Sequence, residues 1–120
     1  MFDMKRAGLG VLALALAACT QPQDPIMSGV SMMQEGSYQQ AKSHFEGLLA
    51  NDPTDPYVNL NLGVTNAELG DKAAAASYYR VAIEEGQSAR IGTTVTGAEV
   101  DGGASTTVAA LAARNLELLN

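Results

Sequence analysis

One cysteine, one histidine and no tryptophan stand among the 120 residues, and only 5% are aromatic. A lone Cys cannot close a disulfide within the chain. One Cys with one His also falls short of any multi-ligand zinc site. So few aromatics leave a core to be built from Ala, Leu, Val and Met. Basic residues are scarce too: seven Lys and Arg stand against thirteen Asp and Glu, a formal net charge of −6. Nucleic-acid backbones are held by clustered Lys and Arg, so no nucleic-acid partner is expected. A long apolar run is lacking as well. The stretch Ala7–Ala18 would cover ~18 Å as a helix, whereas a membrane span needs ~20 residues and ~30 Å. What is present is 47% apolar residues, enough for one small core and too many for a disordered or collagen-like chain.

The N-terminus, MFDMKRAGLGVLALALAACT, sets Asp3, Lys5 and Arg6 before that apolar run and closes it with small residues. This is the layout of a secretory signal. Leu16-Ala17-Ala18-Cys19 resembles the lipobox of bacterial lipoproteins: a branched aliphatic, two small residues and a Cys directly after the apolar stretch. The resemblance implies a signal peptide over 1–18, cleavage before Cys19, and attachment to a membrane through lipid on Cys19. Each buried methylene of such an anchor contributes ~0.8 kcal/mol, and several chains act together. Two alternatives stay open, an inert buried Cys and ordinary cleavage after Ala15-Leu16-Ala17. Thr20 stands where an Asp would retain an enterobacterial lipoprotein in the inner membrane. The expected location is therefore the bacterial cell envelope, at the outer membrane and facing the periplasm. Cleavage would leave five basic and twelve acidic side chains, a surface that stays off an anionic bilayer. Residues 19–24 read as the lipidated tether.

An internal repeat governs the middle of the chain. Sliding the sequence by 34 lays Gly29 on Gly63, Val30 on Val64, Gly36 on Gly70 and Ala41 on Ala75. The same shift lays Phe45 on Tyr79, Leu48 on Ala82 and Leu49 on Ile83. Spacings of i, i+4, i+7 and i+8 from Ala41 or Ala75 describe one face of a helix. Gly36-Ser37 and Gly70-Asp71 fit a turn, with Gly free to take positive φ and Ser or Asp placed to cap the next helix. Pro53 and Pro56 separate the copies.

The period and these residues resemble the tetratricopeptide repeat. That family sets a small residue in the first helix (Gly29, Gly63), Gly at the turn (Gly36, Gly70) and Ala early in the second helix (Ala41, Ala75). An aromatic follows four residues later (Phe45, Tyr79), and Pro closes the unit (Pro53). Two departures stand out: Pro25 and Asn59 occupy the family's Trp position, and the second copy ends at Gly86-Gln87 without its Pro. The resemblance implies an all-α fold of two tetratricopeptide helix pairs over 25–86, a fragment of a right-handed α-solenoid. Helices are expected over Pro25–Glu35, Tyr38–Asn51, Asp55–Leu69 and Lys72–Glu85. Residues 87–103, rich in Gly and Thr, read as an irregular loop. Residues 104–120 hold a C-terminal capping helix from about Ser105, capped by Ser105 or Thr106, with Val108, Leu111, Ala112, Leu116 and Leu119 as its apolar stripe.

Chemistry is harder to find. His44 has no nucleophile or acid placed to work with it, and the carboxylate pairs sit at helix ends, where acids cap and solubilise. Glu99–Gly103 lacks the spacing of a calcium loop, and no Gly-rich stretch follows the order of a phosphate cradle. No enzyme, cofactor or metal site is expected. The resemblance points instead to a protein or peptide partner in a concave groove formed by the first helix of each pair. Mapped by register, the groove residues are Ile26, Val30, Met33, Tyr57, Leu60, Val64 and Ala67. The Lys and Asn with which some members grip a terminal carboxylate are replaced here by Ile26, Val30, Leu60 and Val64. Apolar contact with an adaptable surface remains, although the same residues could serve only to pack the helix pairs. Two functions are in view. One is a lipid-anchored scaffold or adaptor that docks another envelope protein, in pilus biogenesis, secretion or outer-membrane assembly. The other is a self-associating structural lipoprotein, a homo-oligomer without a dedicated client.

Overall fold

The computed structural model describes residues 24–91 and 106–120. The signal peptide, Cys19, most of the tether and the body of the Gly/Thr-rich loop lie outside these described residues. Five helices follow one another: α1 (Pro25–Gln34), α2 (Tyr38–Asn51), α3 (Pro56–Glu68), α4 (Lys72–Glu85) and α5 (Val108–Leu118). Among the described residues there is no strand; one isolated antiparallel bridge joins Arg90 to Thr107. None of the described helices is long and apolar enough to cross a membrane.

The helix ends are written into short segments of sequence. Asp24 and Asp55 cap α1 and α3: their carboxylates accept from Ile26 N at 2.9 Å and from Tyr57 N at 2.9 Å. Pro25 and Pro56 follow at the first helical position, where a missing N–H costs nothing. Both first helices then stop in the same way. Gly36 takes φ +79° and Gly70 φ +86°. The amides of Gly36 and Ser37 donate to Met33 O (3.0 Å) and Met32 O (2.8 Å), and those of Gly70 and Asp71 donate to Ala67 O (3.1 Å) and Asn66 O (2.9 Å). This paired closure satisfies carbonyls that a helix end would leave bare. Asp71 goes on to cap α4 by accepting from Ala74 N at 3.1 Å, whereas Ser37 makes no such bond with its side chain.

Packing repeats with the same period. Phe45 and Ala41 are fully enclosed, as are Tyr79 and Ala75. A Cβ added at Gly29 would run into the Phe45 ring, and one at Gly63 into the Tyr79 ring. The small residue of each first helix is therefore a seat for the aromatic of its second helix. α5 packs on α4 and on α3, as α3 packs on α2 and on α1. Its start differs from the sequence expectation by about three residues. Thr107, rather than Ser105 or Thr106, is the cap, its hydroxyl accepting from Ala110 N at 3.2 Å. The backbone explains the shift. Thr106 O accepts from Ile91 N (3.0 Å), and Val108 N donates to Ala89 O (2.8 Å). These bonds hold the chain extended up to Thr107.

Candidate protein-interaction surface

α3 is the central element, and its surroundings decide what the expected groove can offer. It touches α1, α2, α4 and α5, so Val58–Asn66 is buried without interruption. Leu60, at 0% exposure, packs the interior and presents no surface to a partner. Val30 at 2% and Met33 at 6% on α1 are enclosed in the same core. For these three residues the structure gives a packing role, because the helices on either side close over them. Ile26, Tyr57 and Ala67 lie partly buried against that core and keep some surface. Val64 sits at the margin, 9% exposed.

Four polar residues share the buried run of α3, and each returns its donor to its own helix. Asn61 Nδ2 donates to Tyr57 O (2.9 Å), Thr65 Oγ1 to Asn61 O (2.7 Å) and Asn66 Nδ2 to Leu62 O (2.8 Å). Asn59 Nδ2 reaches Asp55 O (2.8 Å) and Pro53 O (3.1 Å), tying the helix to the linker before it. The Oδ1 atoms of Asn61 and Asn66 are buried with no hydrogen-bond partner. A helix buried all round shows no amphipathic stripe, which is why register alone could not separate groove positions from core positions here.

Two expected groove residues do come together with new companions. Val64 and Ala67 line a hollow of about 190 Å³ with Glu68, Tyr79, Asn115, Leu118 and Leu119. Its far wall is α5, so the groove side of α3 continues onto the capping helix. Leu118 is 74% exposed, a large apolar side chain left in solvent beside this hollow. The sequence marked Leu119 as part of the α5 stripe. It gave no sign that Asn115 and Leu118 would meet Val64 and Ala67, since that contact depends on how α5 crosses α3. At the hollow's base the Tyr79 phenol is pushed up to about 12, chiefly by burial; Asn115, hydrogen-bonded to it, works against the rise and Glu68 adds to it.

Tyr57 serves differently. Its hydroxyl donates to Arg90 O at 2.7 Å, so its polar tip fastens the start of the loop to the start of α3. His44, on α2, donates through Nε2 to Pro25 O at 2.6 Å and holds the first turn of α1. No group of three or more His, Cys, Asp or Glu occurs among the described residues in a metal-binding arrangement.

A tetratricopeptide-repeat family model matches residues 27–90. The match takes in α2, α3, α4 and nearly all of α1, and it stops short of α5. No curated protein and no solved structure matches the chain.

Proposed function

This chain belongs to the tetratricopeptide-repeat family, whose units mediate protein–protein interaction and are typically not catalytic, and from that premise we propose that it is a lipid-anchored adaptor of the bacterial cell envelope. Its client is another envelope protein or peptide, held through apolar contact. The processes that fit are pilus biogenesis, secretion and outer-membrane assembly; fold-level analogy does not choose among them. The observation that carries the binding reading is the hollow between α3 and α5, where Val64 and Ala67 open beside the solvent-exposed Leu118. A partner's apolar side chain seated in this hollow would cover Leu118 and take it out of water. Support for the anchor comes from Leu16-Ala17-Ala18-Cys19, and Thr20 favours the outer membrane.

Two measurements test the reading. Cys19→Ala is expected to abolish incorporation of labelled palmitate and to release the protein from membranes; labelling that survives this change refutes the anchor. Ala67→Asp and Leu118→Asp are expected to eliminate capture of an envelope client by in-cell crosslinking while helical content stays unchanged. Capture that ignores both substitutions places binding elsewhere. The exposure of Leu118 also favours a second reading, self-association without a client. Light scattering on the purified protein separates the two: a stable oligomer that Leu118→Asp dissolves supports self-assembly.

A further inference from the structure

Shifted by 34, the two copies of the repeat agree at the helix contacts and differ at the hollow between α3 and α5. Gly29 and Gly63 match, as do Val30 and Val64, and Ala41 and Ala75. Three positions that line the hollow do not. Met33 is replaced by Ala67, Gln34 by Glu68 and Phe45 by Tyr79. The first of these sets the space. Met33 lies enclosed in the core of the first copy, 6% exposed, whereas the shorter Ala67 borders a hollow of about 190 Å³. Small-molecule sites run to roughly 300–1,000 Å³, so the room here is that of a single side chain.

The other two replacements set the chemistry. They bring a carboxylate and a phenol oxygen among apolar walls given by Val64, Ala67 and Leu118, with the Asn115 amide beside them. No basic side chain lines the hollow. Burial raises the Tyr79 phenol to about 12, and Glu68 adds to the rise. The phenol therefore keeps its proton at neutral pH, and Glu68 is the one charged side chain in the lining. Glu68 is exposed and is the last residue of α3, as Gln34 is the last of α1. That is the negative end of the helix dipole, where a carboxylate is disfavoured and a cation is favoured. The net charge of −6 adds a longer-range attraction of the same sign.

We propose that this hollow takes a Lys or Arg side chain of the partner protein, its methylene stem against Val64, Ala67 and Leu118 and its charged head at Glu68. This rests on the adaptor reading and names the chemistry of the client segment: apolar residues around one base. Long basic side chains divide in this way, laying the stem on apolar surface and keeping the head in water or at a counter-charge. The stem supplies the apolar contact, and the head meets the only charge the hollow offers. An acidic client segment would instead set two like charges together at the end of α3.

The probes are dye-labelled peptides, acetyl-Ala-Leu-X-Leu-Ala-amide, with Arg, norleucine or Glu at X. With the full chain in mild detergent, fluorescence anisotropy is expected to show the Arg peptide binding about five-fold tighter than the norleucine peptide, the upper worth of one exposed ion pair. The Glu peptide should bind weakest. Glu68→Gln, which copies Gln34 of the first repeat, should erase the preference for Arg while norleucine binding holds. Ala67→Met, which copies Met33, should fill the hollow and weaken both peptides with helical content unchanged. Equal binding of the Arg and norleucine peptides overturns the proposal, as does a preference for Arg that survives Glu68→Gln. If norleucine binding is still lost in Ala67→Met, the adaptor reading stands without it; if no peptide binds, or neither substitution affects any peptide, both fall. A dimer that Glu68→Gln dissolves and that excludes the Arg peptide overturns the proposal in favour of a second copy.

Discussion

Gly63→Ala sets two known effects against each other, and the structure decides which is larger. In a helix interior Ala is favoured over Gly by ~0.8–1.0 kcal/mol, so propensity alone makes the substitution stabilising. The new Cβ would meet Tyr79 Cζ at 2.9 Å, with two further ring atoms nearer still. Carbon atoms rest at about 3.5–4.0 Å, so the ring must withdraw by roughly an ångström. It has little room to do so, because Tyr79 is 2% exposed and Asn115 and Leu119 stand beside it. Overpacking of this kind costs ~1–3 kcal/mol, and this ring sits at the upper end of that range. A net loss of about 1–2 kcal/mol follows, or roughly 5–15 °C in melting temperature for a domain of this size. Circular dichroism melts and urea titrations measure it. Gly47→Ala is the control: the same exchange within α2, at a site where an added Cβ meets nothing within 4 Å. That variant should melt several degrees higher than the parent. In a double-mutant cycle Tyr79→Leu should relieve the cost of Gly63→Ala, since the two residues are in contact. If Gly63→Ala melts as high as Gly47→Ala, the seating of Tyr79 on Gly63 is refuted.

Three other outcomes follow from the same packing. Deleting residues 106–120 should strip the cover from Tyr79 and Ala82 and lower the melting temperature by more than 10 °C; a truncated chain that melts with the parent would show that α5 is not a cap. Because burial raises the Tyr79 phenol to about 12 from its ordinary 10, the folded state holds that proton more tightly than the unfolded one. Its contribution is fully present below pH 10 and is lost as pH climbs from 10 to 12; stability measured across that window should fall, and should fall less in Tyr79→Phe. Asn66→Leu removes a buried carbonyl oxygen that has no partner, a defect of ~1–3 kcal/mol, so its urea midpoint should rise; a lower midpoint would mean that the oxygen is satisfied in solution.

Much of this architecture could be read along the chain because its causes are local. A cap is a matter of two neighbouring residues, as at Asp24-Pro25 and Asp55-Pro56, where the carboxylate accepts and the Pro opens the helix. A left-handed turn needs Gly36 or Gly70, and its bonds close within five residues. The partnership of Gly29 with Phe45, and of Gly63 with Tyr79, spans one helical hairpin. A period of 34 exposes it, since the chain repeats the same solution. The α2 and α4 bounds, Tyr38–Asn51 and Lys72–Glu85, fall where the pattern set them.

Contacts between hairpins followed another logic. Register placed Leu60, Val30 and Met33 on a groove, yet whether a first helix faces solvent depends on what packs over it. Four helices surround α3, so its polar Asn59, Asn61, Thr65 and Asn66 went inside, each returning a donor to a backbone carbonyl. Nothing in a one-dimensional pattern marks an Asn as buried when its own helix satisfies its amide. The position of α5 was likewise beyond local reading. It is fixed by the Arg90–Thr107 bridge and by Gly86, where a Cβ would crowd Ala109 N and Val108 Cβ at 2.9 Å. The sequence carries the unit and its period through short-range bonds; the folded stack alone determines which unit faces are covered, because that depends on how many neighbours each helix finally has.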